Sequence, residues 1–196
     1  MTYNDQLDLK EGGIKMSNTE QNLEAAFAGE SQAVRKYYFF ADVAAKEGYP
    51  GIESLFRAAA DAETVHARSH LQVMGGIGST KDNLEAAISG ENYEFTKMYP
   101  EFIEQAKAEN NERAEMSFAN ASKAEKVHHG LYQQALSILE EGKQVEDAPY
   151  FVCQVCGNVI LKEAPDKCPI CNSLRRKFKR IELGVFRRGL KVEEVE

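Results

Sequence analysis

Apolar positions recur at helical spacing through most of the first 141 residues. Relative to Glu30, Leu23, Phe27, Val34, Tyr37 and Ala41 lie at −7, −3, +4, +7 and +11, which is one face of a helix. The face through Glu63 carries Phe56, Ala59, Ala60, Ala67 and Met74, and the face through His128 carries Ala121, Ala124, Tyr132, Ala135 and Leu139. Breakers punctuate the pattern: "GYPG" at 48–51, "GGIGS" at 75–79, "NN" at 110–111 and Gly142. The spacing predicts helices over 18–47, 52–74, 81–109 and 112–141, hence an all-α four-helix bundle. The linker "EGKQVEDAP" then leads to a small unit with two Cys-x-x-Cys pairs. The expected organisation is an N-terminal arm over 1–17, the bundle over 18–146 and the cysteine unit over 147–196.

The bundle repeats itself. A shift of 61 positions superimposes "LEAAFAGE" (23–30) on "LEAAISGE" (84–91), and a shift of 62 superimposes "AETVH" (62–66) on "AEKVH" (124–128) and Phe56 on Phe118. Each half therefore has a helix carrying a Glu, then a helix carrying Glu-x-x-His. The period is too long and the copies too few for a solenoid; a duplicated helical hairpin fits.

Glu30, Glu63, Glu91 and Glu125 each interrupt an apolar stripe. An unpaired carboxylate in such surroundings is costly and calls for a cation or a proton. Residues i and i+3 share a helix face, so Glu63 with His66, and Glu125 with His128, each aim one oxygen and one nitrogen at a common point. Two such pairs with one Glu from each of two further helices form the donor set of a two-metal site in a helical bundle. Four carboxylates balance two divalent ions, and carboxylate with imidazole favours iron or manganese over a closed tetrahedral zinc site. Glu94, one turn after Glu91, breaks the repeat: its counterpart is Ala33, and it reads either as an exposed residue or as a seventh ligand. His70, one turn from His66, reads as core or surface rather than as a neighbour of the metal ligands, and His129 as solvated.

Charge separates the two parts. The chain carries a net −7, yet residues 149–196 hold ten Lys/Arg against six Asp/Glu, which leaves fourteen against twenty-five elsewhere. All four cysteines lie in the basic part, as Cys153-x2-Cys156-x11-Cys168-x2-Cys171. Without a secretory signal, that spacing reads as a tetrathiolate metal site rather than disulfides. Thiolates alone admit zinc or iron. Aromatic mass from Tyr150, Phe151 and Phe178, with Gly157 and Asn172 after the two knuckles, leans towards iron. "RRKFKR" (175–180) reads as a solvated face, or a docking face for an acidic electron donor, rather than a nucleic-acid patch. No run of apolar residues is long enough to span a membrane, so the expected setting is cytoplasmic.

The stretches "AFAGESQA" (26–33), "AETVHARSHL" (62–71), "GENYEFTKMYP" (90–100), "AEKVHH" (124–129) and the cysteine unit together resemble the rubrerythrin family, in its order and over nearly everything after residue 17. The resemblance implies a ferritin-like bundle with a rubredoxin-like domain. It implies a di-iron centre held by Glu30, Glu63, His66, Glu91, Glu94, Glu125 and His128, with Tyr37 and Tyr99 beside it. It implies a rubredoxin-type iron on Cys153, Cys156, Cys168 and Cys171. The implied activity is two-electron reduction of hydrogen peroxide, with electrons returned through the tetrathiolate iron from a rubredoxin or an NAD(P)H-dependent reductase. No nucleotide-binding fingerprint is present, so that reductase is expected to be a separate protein. Asn172 departs from the family's usual glycine, which bears on that iron's potential. The rival readings are a ferritin-like ferroxidase or iron-handling protein, and a zinc-bearing scaffold without enzymatic activity.

Chain length bears on assembly. With the halves related by a two-fold axis, the connection from helix 2 to helix 3 must return a path of roughly 32 Å. The seven residues 75–81 reach at most about 27 Å. Exchange between chains relieves the shortfall, so a domain-swapped homodimer is expected, helices 1–2 of one chain packing with helices 3–4 of another.

Overall fold

A computed structural model describes residues 17–181. The expected arm lies outside the described residues except for Ser17. The chain forms two compact units that divide between Gly78 and Ser79.

The first unit is a helical hairpin of α1 (Asn18–Lys46) and α2 (Pro50–Val73). Ser17 starts α1 with a reciprocal cap: its hydroxyl accepts from the Glu20 N–H, and the Glu20 carboxylate accepts from the Ser17 N–H. Gly48, at φ 81°, takes the left-handed conformation that ends α1. Pro50 opens α2, where a missing N–H costs nothing. So short a turn makes the helices antiparallel. The Tyr38 hydroxyl donates to Asp61 at 2.8 Å, and Arg57 pairs with Asp42 at 3.2 Å. Ala41, Ala44, Ala60 and Ala67 are buried, and small side chains let the two backbones approach. Tyr37, Phe40 and Phe56 form an aromatic trio with centroids 5.6 to 6.3 Å apart.

The second unit begins with α3 (Thr80–Tyr93), capped by Ser79 and Asp82 as α1 is by Ser17 and Glu20. A π-helical segment (Glu94–Met98) follows, then α4 (Tyr99–Ala108) and α5 (Glu112–Glu140). The unbroken α-helix expected over 81–109 is thus corrected to two α-helices joined by a wider turn. Pro100 supplies the reason. Inside a helix it offers no N–H and its ring crowds the carbonyl four residues back, which is that of Thr96. The wider turn relieves this: the Tyr99 N–H reaches back to Glu94 O, and the Thr96 hydroxyl donates to Asn92 O. Beyond it, Tyr99, Phe102 and Phe118 form a second trio with centroids 5.5 to 6.3 Å apart.

Among the described residues, the same unit also holds a three-stranded antiparallel sheet of order β2-β1-β3, made of β1 (Tyr150–Cys153), β2 (Val159–Leu161) and β3 (Phe178–Ile181). Phe151 pairs with Ile160 on one side and Arg180 on the other. A 3-10 turn, Arg175–Lys177, leads into β3. A helical domain followed by a small stranded domain is the fold class expected.

Ala60 is fully buried in α2 and lies one turn before Glu63. Ala60→Leu should overpack the hairpin and lower stability by about 1–3 kcal/mol. Urea denaturation of the purified variant reads this directly.

Candidate metal centres

Glu30 on α1 and Glu63 and His66 on α2 converge in the first unit. In the second, Glu91 on α3 converges with Glu125 and His128 on α5. In each group the donor atoms lie within 4.8 Å of one another. The i,i+3 geometry is the same twice: His66 Nδ1 is 2.8 Å from Glu63 Oε2, and His128 Nδ1 is 2.7 Å from Glu125 Oε2. His128 Nδ1 is also 3.8 Å from Glu91 Oε1. One nitrogen and two carboxylate oxygens that converge in this way can hold a divalent cation.

The two groups differ in surroundings. The His66 side chain is 57% exposed, whereas His128 is 20% exposed. His128 Nε2 lies 3.1 Å from Gly157 O, on the first cysteine knuckle. A carbonyl only accepts, so Nε2 carries the proton and Nδ1 is left for a metal. The Ala124 methyl group, one turn before His128, lies 4.0 Å from the position a Cβ would take on Gly157. The knuckle thus rests directly on the helix that carries Glu125 and His128. His128, Leu84, Tyr132, Val145, Tyr150 and Val159 also wall an apolar cavity of about 380 Å³.

Burial, and then the neighbouring Glu125 charge, push the Glu91 carboxyl up to about 7. Glu94 is half-buried and its carboxyl is raised by the same two causes, although it is not among the three groups that converge. The hydrogen bond to Glu125 raises His128 above the ordinary imidazole value against the opposing effect of burial. Tyr99 is raised by burial and by Glu125, Glu94 and Glu91, which places it in the field of this cluster. Tyr132, one turn beyond His128, is raised by burial, Glu91 and Glu125. Tyr37 lies in the trio of the first unit. His129, expected to be solvated, is partly buried and packs edge-on against Phe95 of the π segment at 5.4 Å.

The repeat explains where Glu94 comes from. Glu30 maps to Glu91 with an offset of 61, but Tyr37, Phe40 and Phe56 map to Tyr99, Phe102 and Phe118 with an offset of 62. The second copy thus has one more residue than the first between these positions, and the π-helix occupies 94–98. The change of offset was visible in the sequence; the helix type that absorbs it was not.

The cysteine unit contains the same turn twice. Gly157 N–H donates to Cys153 O and Cys153 N–H to Asn158 O; Asn172 N–H donates to Cys168 O and Cys168 N–H to Ser173 O, all at 2.8–2.9 Å. Gly157 at φ 80° and Asn172 at φ 58° occupy matching left-handed positions, which is why asparagine serves at the second. Cys153 Sγ is 3.7 Å from Cys171 Sγ, and Cys156 Sγ is 3.6 Å from Cys168 Sγ. Disulfide sulfurs sit at about 2.05 Å. A tetrahedron with metal–sulfur bonds of about 2.3 Å has edges near 3.75 Å, so these four residues fit one tetrathiolate metal. Burial pushes the Cys153 thiol up, but the Ser173 hydroxyl and the Val155 and Cys156 N–H groups outweigh it and bring it down to about 6. Burial pushes Cys156 up. Sequence reasoning missed Ser173, Asn158 and the Gly157 carbonyl, because backbone acceptors and small polar residues leave no pattern.

Metal-free protein should show the cost of these groups in its pH dependence. A carboxyl raised on folding binds its proton in the native state, so Glu91 loses stability as pH rises from 4.5 towards about 7. His128, also raised, contributes below its unfolded value and loses that contribution as pH rises through its folded value. Denaturant midpoints of metal-free protein should therefore fall between pH 5 and 8. Added divalent metal should restore more stability at pH 7.5 than at pH 5, because binding displaces those protons. A midpoint that rises over this range without metal would contradict the assignment.

Comparison with known proteins follows the same division. The rubrerythrin family profile matches residues 21–136, and that of the rubrerythrin rubredoxin-like domain matches residues 151–179. The chain is 40% identical to a rubrerythrin of Porphyromonas gingivalis over 174 residues, covering 81% of this chain and 87% of that protein. It is 36% identical to rubrerythrin-2 of Clostridium acetobutylicum over 179 residues, covering 84% and 97%. Among solved structures it resembles partially reduced nigerythrin, with a TM-score of 0.51, 32% identity and coverage of 86% and 89%. With both halves matched in order and both donor sets in place, the chain belongs to the rubrerythrin family, iron proteins with a di-iron site and a rubredoxin-like domain.

Proposed function

We propose that the protein is a hydrogen-peroxide reductase fed by an external electron donor. The observation that carries this reading is the bond from His128 to Gly157 O, which joins a carboxylate–histidine cluster to a tetrathiolate knuckle within one unit. A ferroxidase or an iron store has no use for that link, and a structural zinc knuckle has no reason to sit on a metal-ligand helix. Two ferrous ions held by the carboxylate–histidine set would supply the two electrons that, with two protons, convert hydrogen peroxide to water, and an iron held by the four cysteines would return electrons singly.

The proposed ligands of the pair are Glu30, Glu63, His66, Glu91, Glu94, Glu125 and His128; those of the single iron are Cys153, Cys156, Cys168 and Cys171. Gly157 O holds the His128 ring in one tautomer, so His128 is the fixed imidazole. His66 Nε2 has no partner among the described residues, so His66 is the imidazole free to leave. Two ferric ions carry two more positive charges than two ferrous ones, and Glu94 is the additional carboxylate available to meet them. Tyr99 lies close to Glu94 and Glu125, and Tyr37 is its repeat-related counterpart; both serve as hydrogen-bonding groups around the pair.

The first unit contributes three of these ligands and the second four, and the hairpin leaves Phe39, Leu55, Val65 and Val73 at least 66% exposed. Together with the short connection, this supports a homodimer in which the hairpin of one chain completes the site of the other. Among the described residues, no helix is long and apolar enough to cross a membrane.

Reduced protein should react with hydrogen peroxide at least tenfold faster than with dioxygen in stopped-flow absorbance, and equal rates would favour a ferroxidase. Glu94→Ala should slow turnover and shift the spectrum of the oxidised pair, while leaving the red tetrathiolate bands unchanged. Exchange of hairpins has its own test. Chains bearing Glu63→Ala with His66→Ala, refolded with chains bearing Glu125→Ala with His128→Ala, should regain one intact metal pair per mixed dimer. A dimer without exchange regains none.

A further inference from the structure

We propose that the exposed cationic strip of Arg176, Lys177 and Lys179 is the docking surface for an acidic one-electron donor protein, which reduces the tetrathiolate iron from this side. The proposal rests on the redox reading above and names where its electrons enter.

Three observations carry it. The first is position. Lys177 closes the 3-10 turn and its carbonyl accepts from the Gln154 N–H at 2.9 Å, one residue from Cys153. Lys179 pairs with Val152 across the sheet, and Phe178, between the two lysines, pairs with Cys153 and packs against the cysteine cluster. The strip is therefore one strand spacing, about 4.8 Å, from the backbone of a thiolate ligand. The second is pairing. Two other cations of this small domain are matched: Arg175 binds Glu163 at 2.7 Å, and Lys162 binds Glu146 at 2.8 Å. Arg176, Lys177 and Lys179 are exposed and have no ion pair among the described residues. The third is contrast. The rest of the chain is strongly acidic, so a local concentration of positive charge beside the metal favours an anionic partner at this point and disfavours it elsewhere.

The step transfers one electron. The donor's metal is oxidised by one unit, the tetrathiolate iron is reduced from ferric to ferrous, and no bond or proton changes hands. β3 is also an edge strand, and lysines on an edge guard against strand addition. Glutamates guard an edge equally well, so charge reversal separates the two roles.

The test uses the iron-loaded dimer and a purified acidic rubredoxin as the probe. Bleaching of the ferric tetrathiolate by reduced rubredoxin is followed by stopped flow, and binding of the oxidised partners by calorimetry, both at about 20 mM ionic strength. Lys177→Glu with Lys179→Glu should lower the second-order rate and the affinity at least tenfold, and the rate should converge on that of the unaltered protein near 0.5 M salt as screening shortens to a few ångströms. Photoreduced deazariboflavin, an uncharged donor, should reduce both proteins at the same rate. An unchanged rate and affinity in the reversed variant would overturn the proposal. So would a loss seen equally with the uncharged donor, a change in oligomeric state by sedimentation that accounts for the loss, or tight salt-sensitive binding of a DNA duplex to the strip in place of rubredoxin. Peroxide oxidation of dithionite-reduced protein, measured separately, reports on the peroxidase reading alone, so the two can fail independently.

Discussion

Carboxylates set into apolar helix faces impose the condition on which the rest of this structure depends. Their charge is tolerable beside alanine and aromatic side chains only when a cation or a proton accompanies it. The second unit shows this directly: Glu91 is driven up to about 7 by burial and by Glu125, so without metal the site retains protons. Metal binding and folding are therefore linked, and the helical packing is organised to bring the donors together. Buried alanines at the helix contacts allow the close approach that places Glu91 beside Glu125 and His128, and Glu30 beside Glu63 and His66.

Duplication built most of this arrangement and a one-residue difference between the copies modified it. The aromatic trios Tyr37–Phe40–Phe56 and Tyr99–Phe102–Phe118 match in spacing to within 0.1 Å, so packing on that side of the carboxylates was conserved between copies of the hairpin. The spacing of the copies changes between Glu91 and Tyr99. The π-helical turn there holds the extra residue without shifting the trio, and it carries Glu94, for which the first copy has no equivalent.

The cysteine domain is joined to the helical site through backbone rather than side-chain chemistry. Gly157 has a left-handed φ because the knuckle requires it, and that turn also presents its carbonyl to His128. One glycine thus shapes a thiolate turn and fixes the tautomer of an imidazole in the neighbouring cluster. The same domain carries exposed positive charge along the turn and strand nearest Cys153. One side of the domain faces the carboxylate cluster and another presents a cationic surface.

Much of this was written in local pattern. Helix period, breakers, the i,i+3 pairs and the cysteine spacing depend on residues a few positions apart, and backbone geometry converts such spacing into a shared face or a tight turn. The four helical regions, the three-ligand groups and the tetrathiolate set were legible for that reason, as was the left-handed tolerance of Asn172. What only the tertiary structure decided depends on groups distant in sequence, or on atoms every residue possesses. The π turn required Pro100 and the offset change to be read together as a matter of hydrogen bonding. The Phe95 contact gave His129 a packing partner that its position in the sequence did not show. The Gly157 carbonyl reached His128 across 29 positions, and a backbone acceptor has no signature in a sequence until a fold aims it.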